Sequence, residues 1–554
     1  MILLALLIAA PAAERAAAAH LTAAEISAHI RFLSDDLLEG RKPGSAGDEI
    51  AIRYLASQLE ALGLKPGADN GTFFQPVPLV ELAAEVPRDI PFRMEPDGSA
   101  GGRAEPAGRS IGGDKSLVLH AGNGLQADMV VGPFAHIDLA HVQDAPLVFA
   151  GYGIVAPEYG WDDYKDADVK GKVVVLLNFN PPFKGENVRL WYGRWDYKYL
   201  TAAAHGAVGA ILIHTTQSAG YPWQVVVTSW STPRQDLPPS PDDKPMQFRS
   251  WITEPAAQQL ARLSGKDLDQ LRAAAQGKDF RPVPLGSSMS LEMPVKRRTF
   301  QSANVIGVLP GSDAKLRDEA VLYTAHHDHL GKVVPVPPAT DGIYNGALDN
   351  AAGCATILTI AHAVASTKPK RSIYFAFVTA EEQGLLGSEW LAKHPPIPAG
   401  RFAVDINVDS PNRLGRTSDL GILGLGKSSV DAVVKQVASE QGRTVHGDPY
   451  PDRGTYYRSD QFSLAHAGVP GVYVKGGPTY LGRPAGWGEI QQKAYEMHDY
   501  HQPSDEYHGD WDLSGMVEDA QLELIVGLRI ADAPAMPRWT PGDEFEAARK
   551  SARR

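Results

Sequence analysis

The 554-residue chain is 44% hydrophobic and 21% charged, a globular composition with enough length for two or three folding units. Its formal net charge of −12 argues against a nucleic-acid partner, because binding to a nucleic-acid backbone requires a basic face and none is evident in the sequence. The single cysteine, Cys354, cannot form an intramolecular disulfide. Because it lies in an apolar helical segment, we predict a small buried thiol rather than a reactive one.

The N-terminal sequence MILLALLIAAPAAERAAAAH joins an apolar run to small residues of the A-x-A kind. This pattern is typical of a secretory signal peptide, which we place at residues 1–19 with cleavage near Ala13 or Ala19. The usual positive charge before the run is missing, so a misassigned start in front of a truncated signal is the alternative. No other stretch approaches the ~20 apolar residues of a membrane span. Export without disulfides predicts a bacterial periplasmic or secreted protein.

Two helices are predicted after this segment. Thr22 precedes the first one and forms a capping-box pattern with Glu25 three residues later. A turn rich in glycine, proline and serine separates it from the second helix, predicted for 48–62, whose apolar residues recur on one face. Both helices are expected to pack against a core and to take no part in chemistry.

The pattern changes from about 128 to 277. Short apolar strands are predicted at 146–152 and 172–178, and one helix at 255–275. Because this block interrupts a larger α/β pattern, we interpret it as an inserted domain. It contains an aromatic cluster that could line a substrate cleft, although such clusters more often belong to a core or a domain interface. The cluster comprises Trp191, Tyr192, Trp195, Tyr197 and Tyr199.

The α/β pattern then resumes and continues to the end of the chain. Strands are predicted at 303–309, 321–325, 372–379, 402–408 and 471–474, and helices at 350–365, 428–440 and 513–532.

Acidic and imidazole side chains collect where these strands end. His326 and Asp328 follow one strand, Glu381 and Glu382 follow another, and Asp349 precedes a helix. In open α/β sheets, ligands bind beyond the carboxyl ends of the strands. The sequence therefore predicts a metal site at this edge, with the proline-rich loop 332–341 expected to border it.

A single H-x-D is weak evidence in a chain with 17 histidines, but the combined set is specific. Two zinc ions ~3.5–4 Å apart need one bridging carboxylate and further carboxylate and imidazole ligands. Such a set is His326, Asp349, Glu382, Asp409 and His501. Glu381, beside Glu382, could then act as a general base toward a bound water, although the pair taken alone is more typical of a solvated helix start.

Six motifs occur in the order AHHDHLG, YNGALDNAAG, TAEEQGLLGS, NVDS, YRSDQF and DYHQPSD. Together they resemble metallopeptidase family 28, the co-catalytic zinc exopeptidases that include bacterial secreted aminopeptidases and glutamate carboxypeptidase. The resemblance covers about 21–80 and 303–533. Through PLVFAGYGI and KGKVVVLLN, the middle block resembles the protease-associated domain of the family.

The resemblance implies two zinc ions per chain. His326 and Asp409 would bind one zinc, Glu382 and His501 would bind the other, and Asp349 would bridge them. His327 and His329 match no ligand position, and we interpret them as lying behind the ligands or facing solvent.

The resemblance also implies roles around the metals. Glu381 corresponds to the general base, and Asp328 to the acid that orients His326. Tyr500 corresponds to a tyrosine that stabilises the oxyanion, and Arg458 to a substrate-contacting arginine of some secreted aminopeptidases. Gln461 stands where many members have histidine, and the gap between the first two motifs is long. Both departures concern substrate preference rather than the metals.

The predicted fold is a mixed, mostly parallel α/β sheet flanked by helices, the zinc exopeptidase fold, with an inserted β-rich protease-associated domain. We assign 1–19 to the signal peptide, 20–127 to the N-terminal part of the peptidase domain and 128–285 to the insertion. Residues 286–540 form the zinc peptidase domain, and 541–554 a disordered tail.

The predicted function is that of a dinuclear zinc aminopeptidase acting on peptides, in which the general base activates a metal-bridging water. A carboxypeptidase or dipeptidase of the same fold is the alternative, and it would need a basic pocket for the free carboxylate. A non-catalytic, receptor-like binding protein is disfavoured because every ligand position is filled. The side chain preferred, the native metal and the oligomeric state stay open.

Overall fold

The computed structural model describes residues 12–94, 116–122, 126–134, 136–185, 187–230, 233–241, 243–335 and 340–553. Residues 1–11 of the predicted signal peptide and 336–339 of the predicted bordering loop lie outside them. The chain divides into two compact units. Unit 1 comprises Met1–Leu79, Phe300–Pro449 and Arg458–Arg554, and unit 2 comprises Val80–Thr299 and Tyr450–Tyr457. The insertion predicted for 128–285 falls inside unit 2.

The strands are numbered in chain order. They are β1 (Lys65–Pro66), β2 (Phe74–Ala84), β3 (Asp89–Met94), β4 (Ser116–His120), β5 (Met129–Pro133), β6 (Leu139–Phe149), β7 (Val155–Ala156), β8 (Trp161–Asp162), β9 (Val173–Leu177), β10 (Gly209–His214), β11 (Arg234–Asp236), β12 (Phe248–Thr253), β13 (Val283–Leu309), β14 (Ala320–His326), β15 (Gly331–Lys332), β16 (Ile343–Tyr344), β17 (Ser372–Val378), β18 (Phe402–Asn407), β19 (Asp419–Leu423), β20 (Thr444–His446) and β21 (Gly471–Gly476).

The α-helices are numbered in the same way. They are α1 (Ala12–Ala18), α2 (Ala23–Leu33), α3 (Ala46–Ala61), α4 (Trp195–Ala204), α5 (Thr216–Ala219), α6 (Trp223–Trp230), α7 (Glu254–Leu263), α8 (Leu268–Ala274), α9 (Ala352–Ala365), α10 (Leu386–Lys393), α11 (Val430–Glu440), α12 (Gln461–His466), α13 (Trp487–His498), α14 (Ser514–Asp532) and α15 (Glu546–Ala552).

The sheet of unit 1 is built around β14. This strand is buried along its whole length and pairs in parallel with β17 on one side and β18 on the other. β21 extends the parallel part beyond β18, whereas β13 and β19 add antiparallel neighbours. Strands that are buried on both faces consist of continuous apolar runs. The apolar runs in the sequence therefore predicted where these strands lie. The predicted α/β class with a mixed, mostly parallel sheet is confirmed.

The helix α9 lies in the core of unit 1. All of its residues except His362 and Ala365 are buried, and it contacts β14, α2 and α14. The stretch Ala347–Ala365 is long and apolar enough to cross a membrane by length and composition, but 94% of it is buried inside the protein. Cys354 is fully buried, as predicted, and its thiol lies 3.1 Å from the His326 carbonyl oxygen.

Several local predictions can be compared with the structure. The side chain of Thr22 accepts a hydrogen bond from the amide of Glu25, which confirms Thr22 as the helix cap. The Glu25 carboxylate does not complete the predicted capping box and lies 2.8 Å from His362 Nδ1. The single helix predicted for 255–275 is wrong. The segment is divided into α7 and α8 because Gly265 has a left-handed backbone conformation (φ 62°) and Asp267 caps the second helix.

The C-terminal tail, predicted to be disordered, contains the helix α15. There, Arg549 is buried and donates a hydrogen bond to the Phe402 carbonyl.

Unit 2 has its own sheet and core. β6, β9, β10 and β12 pair in parallel in that order, and β5 and part of β13 add antiparallel pairs. Of the aromatic cluster, Tyr199 is fully buried and its hydroxyl donates to the Ser250 carbonyl at 2.8 Å. Trp191, Tyr192 and Tyr197 are half-buried and pack edge-to-face on one another.

Candidate metal centre

Three strand ends of unit 1 meet at one edge of its sheet. Because β14 is parallel to β17 and β18, the carboxyl ends of the three strands lie side by side. His326 is the last residue of β14, Glu381 and Glu382 follow β17, and Asp409 follows β18. The parallel pairing thus gathers side chains that are far apart in the sequence.

Asp349 comes from the distorted turn Ala347–Ala351 that leads into α9, and its peptide bond to Asn350 is cis. The amides of Leu348 and Asp349 each donate to the carboxylate of Asp505 at 3.1 Å. Asp505 therefore fixes the turn that presents Asp349 to the strand ends.

The carboxylate of Asp349 lies between two imidazoles. Its Oδ1 is 3.2 Å from His326 Nε2, and its Oδ2 is 3.2 Å from His501 Nε2. His501 Nε2 also lies 3.0 Å from Glu382 Oε2. On the other side, His326 Nε2 is 3.9 Å from both Asp409 Oδ1 and Glu381 Oε2. The structure therefore brings all five predicted ligands together, with Asp349 in the middle.

The donor set fits metal ions. Two groups each offer three donor atoms within 4.8 Å of one another, and they are His326, Glu381 and Asp409, and His326, Asp349 and Glu382. Carboxylate oxygens and imidazole nitrogens are ligands that zinc accepts. His326 Nε2 is buried and, among the described residues, has no hydrogen-bond partner, which is unusual for a buried polar atom. Converging carboxylates also leave negative charge that a divalent cation would offset.

The surroundings of the two adjacent glutamates shift their pKa values in opposite directions. Burial raises the pKa of Glu381 well above its usual value; His326 opposes the rise, and the nearby carboxylates add to it. Burial also acts to raise the pKa of Glu382, but the imidazoles of His501 and His329 lower it to about 2. The imidazoles therefore favour the charged form of Glu382, whereas burial opposes the charged form of Glu381.

Asp328 lies behind these residues, but its contacts differ from the prediction. The ring nitrogen Nδ1 of His326 is 3.2 Å from the carbonyl oxygen of Asp328 and 3.7 Å from its carboxylate. The carboxylate instead accepts hydrogen bonds from the amides of Glu381 at 3.0 Å and Glu382 at 3.4 Å. Burial raises the pKa of Asp328 to about 8. Its side chain thus anchors the backbone of the glutamate pair, and its carbonyl orients His326.

Asp409 is held by three hydroxyl groups. Its Oδ2 accepts a hydrogen bond from Ser459 Oγ at 2.6 Å, and its Oδ1 accepts one from Ser410 Oγ at 3.1 Å. The hydroxyl of Tyr473 donates to its carbonyl oxygen at 3.0 Å. These contacts fix the carboxylate beside His326.

Tyr500 and Arg458 lie beside the same site. The ring of Tyr500 stacks on His501 with centroids 3.9 Å apart. Burial raises the pKa of the Tyr500 hydroxyl to about 12, so the hydroxyl keeps its proton at neutral pH. Arg458 is exposed and near enough for its charge to oppose that rise. The tyrosine can therefore donate a hydrogen bond, and the arginine supplies a positive charge near it.

Backbone conformation is strained at three places around the site. Ala380 precedes the glutamate pair with φ 54°, Ser410 follows Asp409 with φ 48°, and His501 itself has φ 57°. Residues other than glycine rarely adopt this left-handed conformation, and such strain is concentrated at functional sites. The surrounding fold therefore imposes the positions of these ligands.

The prediction that His327 and His329 could face solvent is wrong, because both are fully buried. His327 Nε2 lies 3.1 Å from the Ala303 carbonyl oxygen. His329 Nδ1 lies 2.6 Å from Glu382 Oε1. The other interpretation, that they lie behind the ligands, describes His329 correctly.

The sequence analysis predicted no role for Ser459 or Asp505, and it did not predict the contact between His329 and Glu382. All three lie in quoted motifs, YRSDQF, DYHQPSD and AHHDHLG. Their position next to predicted ligands was the available signal. Their partners depend on how distant loops approach one another, which spacing alone does not give.

A comparison with protein families decides the classification. Residues 304–525 match the model of Peptidase family M28. This domain belongs to peptidase family M28. The predicted family, a family of metallopeptidases that hydrolyse peptide bonds, is thereby confirmed for this segment. The matched segment contains every predicted metal ligand, from His326 to His501.

Curated relatives of the chain include Aminopeptidase NAALADL1 of Rattus norvegicus, 23% identical over 448 residues, which are 70% of this chain and 54% of that protein. The chain thus spans about half the length of this relative. A probable zinc metalloprotease of Pyrenophora teres is 35% identical over 105 residues, 19% of this chain and 22% of that protein. A vacuolar membrane protease of Candida glabrata is 35% identical over 96 residues, 17% of this chain and 9% of that protein.

Similar solved structures include an aminopeptidase from Aneurinibacillus sp. strain AM-1, with a TM-score of 0.49 and 18% identity, covering 94% of this chain and 97% of that one. A Peptidase M28 precursor from Shewanella amazonensis has a TM-score of 0.45 and 17% identity, covering 98% and 100% of the two chains.

Proposed function

We propose that this M28 peptidase is a secreted or periplasmic exopeptidase that binds two zinc ions and removes N-terminal residues from peptides. The observation that carries the proposal is the position of Asp349 between His326 and His501, at 3.2 Å from each ring. A carboxylate that faces two sets of ligands is what a pair of neighbouring metal ions requires.

His326 and Asp409 would hold one zinc, Glu382 and His501 the other, and Asp349 both. When bound, the metal ions would polarise the scissile carbonyl group and make water a better nucleophile at neutral pH.

Glu381 is the proposed general base. It lies beside Glu382 but is held to no imidazole by a short contact, since its Oε2 is 3.9 Å from His326 Nε2. Its side chain is 12% exposed, so part of it is accessible from solvent. It would take a proton from the attacking water and return that proton to the leaving amine.

Tyr500 would donate its hydroxyl hydrogen to the oxygen of the tetrahedral intermediate. Its raised pKa of about 12 keeps the donor protonated across the pH range in which a carboxylate base is active. A hydroxyl held by stacking on His501 needs little reorganisation, which is the property that makes such donors effective.

Charge around the site favours an aminopeptidase. A free α-amine is cationic, and the side chains of Glu381 and Asp409 are partly exposed there. Capture of a C-terminal carboxylate usually takes an arginine fork. The name of the rat relative, an aminopeptidase, supports the same choice. Export is supported by the signal-like N-terminal sequence.

Arg458 supports a second candidate, a carboxypeptidase or dipeptidase. It is an exposed cation whose charge reaches Tyr500, and it could hold a free carboxylate. One arginine offers less than the several carboxylates offer to an amine, so we place this candidate second.

The proposal is tested on the purified exported protein by metal analysis together with an aminoacyl anilide assay. We expect about two zinc ions per chain, hydrolysis that a chelator abolishes, and recovery when zinc is added back. A chain that binds no metal and leaves the anilide intact would refute the proposed function.

A further inference from the structure

His329 has no part in the proposed zinc site, yet it is fully buried and touches one of the ligands. Its Nδ1 lies 2.6 Å from Glu382 Oε1. The other oxygen of the same carboxylate, Oε2, lies 3.0 Å from His501 Nε2. The two oxygens of Glu382 are therefore used in different directions, one toward His329 and one toward the site.

The direction of this hydrogen bond follows from the charge of its acceptor. As a zinc ligand Glu382 would be an ionised carboxylate, and its Oε1 lies 2.6 Å from His329 Nδ1. An ionised carboxylate can only accept, so His329 Nδ1 carries the hydrogen and donates it. A hydrogen bond to an ionised group at this distance is short and strong compared with a neutral one.

The backbone and ring of His329 are fixed by neighbouring residues. Its amide donates to the Arg41 carbonyl at 3.3 Å. Arg41 in turn donates to the carbonyl groups of His327 and Gly346 at 2.8 and 3.0 Å. A side-chain carbon added at Gly346 would lie 2.6 Å from the ring of His329, so only glycine leaves room for it. The imidazole cannot move away from Glu382 without disturbing this loop.

We propose that His329 is a positioning residue for Glu382, which holds Oε1 so that Oε2 alone is presented to the metal beside His501. The inference rests on the proposed function, because it assumes that Glu382 is a zinc ligand. Residues that hydrogen-bond to ligands in this way tune metal affinity without touching the metal.

A packing role is the competing explanation, and the two make different predictions. Among the described residues, His329 Nε2 has no hydrogen-bond partner, so the contact with Glu382 is the one hydrogen bond that its ring makes there. If His329 only fills space, the position of a donor within the side chain is immaterial. If it positions Glu382, a donor is needed where Nδ1 lies.

The matched variants are His329→Asn and His329→Gln. The amide nitrogen of asparagine takes roughly the place of Nδ1, whereas that of glutamine takes roughly the place of Nε2. We expect His329→Gln to weaken one of the two zinc-binding steps by about 10- to 100-fold, measured by titration with zinc against a chelator. His329→Asn keeps a donor near Glu382, so its zinc affinity in both steps should stay within about threefold of that of the unaltered protein. This change is smaller than the one expected when the contact is lost.

The control is His327→Asn, which removes the hydrogen bond of a buried imidazole in the same loop to the Ala303 carbonyl. It should leave both zinc-binding steps unchanged while any loss of stability appears in its melting temperature. Equal zinc affinities in the two His329 variants, or equal weakening in the His327 control, would overturn the positioning role while leaving the zinc site in place. Failure of the unaltered protein to bind zinc would remove the proposed function and this inference together.

Discussion

Glu381 and Glu382 are adjacent in the chain, but their contacts separate their functions. Glu382 has imidazoles on both oxygens, at 2.6 and 3.0 Å. Glu381 has its closest imidazole at 3.9 Å. A substitution that keeps shape and removes charge should therefore affect metal binding at one position and proton transfer at the other.

We predict that Glu381→Gln keeps about two zinc ions per chain while activity collapses, because only the proton acceptor is lost. Glu382→Gln should lose zinc as well as activity, because it removes a ligand. Metal content and anilide hydrolysis, measured on the same samples, check both. Equal zinc loss in the two variants would contradict the assignments.

Tyr500 gives a second prediction at this scale. If its hydroxyl stabilises the oxyanion, Tyr500→Phe should lower kcat by roughly 10- to 1,000-fold, the range for one lost donor. Zinc content should not change, because the phenyl ring can still stack on His501. Steady-state kinetics with metal analysis test this, and an unchanged kcat would assign Tyr500 to packing alone.

At the scale of elements, the first turn of α3 contains a buried acid. Asp48 accepts a hydrogen bond from the Gly44 amide at 2.8 Å, while its other oxygen is 3.6 Å from His327 Nδ1. Burial raises its pKa from 3.8 to about 7; Glu49 adds to the rise, and Arg41 opposes it. Between these two pH values the folded chain binds more protons at Asp48 than the unfolded chain does, so stability falls as the pH rises.

We predict that Asp48→Asn, which cannot ionise, removes this fall. From pH 4 to pH 7, the free energy of unfolding of the unaltered protein should drop relative to the variant by on the order of 3 kcal/mol, since each pKa unit corresponds to ~1.4 kcal/mol. Denaturant unfolding across this range, with a chelator present in all samples, measures the difference. If the free energies of unfolding of the two proteins change in parallel with pH, the pKa of Asp48 is not raised by folding.

The helix α1 bears on processing of the N-terminus. Its Glu14 pairs with Arg529 at 2.9 Å, and Arg529 also pairs with Glu440 at 2.7 Å. Ala17 and Ala18 are buried in the core of unit 1. Cleavage near Ala19 would remove these contacts and leave Arg529 paired with Glu440 alone, whereas cleavage near Ala13 would keep them.

If the chain is exported as we propose, we therefore predict that the mature protein begins near residue 14. Intact-mass measurement of protein recovered from the periplasm or medium would identify the N-terminus. A mature chain that begins at His20 would contradict the prediction. A variant that begins at His20 should melt at a lower temperature than one that begins at Glu14, because it lacks the ion pair between Glu14 and Arg529.

At the scale of the whole molecule, the direction of cleavage is the main prediction. An aminopeptidase must bind a free α-amine, so unblocked peptides and aminoacyl anilides should be hydrolysed and their N-acetylated forms should not. Paired substrates that differ only in the acetyl group make the comparison. Release of a single C-terminal residue from an N-acetylated peptide would favour the carboxypeptidase instead.

The sequence predicted the main sheet of unit 1 well, because buried parallel strands such as β14 and β17 are continuous apolar runs with clear ends. It was less accurate where local conformation depends on one or two residues. Gly265 broke a predicted helix, and Arg549 tied a tail expected to be disordered to the Phe402 carbonyl. Burial of an arginine near a chain end depends on the fold and has no local signal.

The convergence of the predicted ligand side chains was predictable because each follows a recognisable strand end or motif. Their supporting contacts were not, as Asp328 illustrates. Its carboxylate was expected on His326 but accepts the amides of Glu381 and Glu382 instead. The two-residue spacing places the carboxylate of Asp328 near His326. The groups to which this carboxylate hydrogen-bonds depend on the position of the loop after β17.

The left-handed backbone at Ala380 and Ser410 has a consequence for redesign of this chain. A programme to raise thermal stability would place glycine at both positions, since glycine adopts this conformation without steric cost. Each exchange would also let the loop relax into other conformations, and these loops carry Glu381 and Asp409. Heat resistance gained there would come with slower turnover, so engineering of this protein should begin elsewhere.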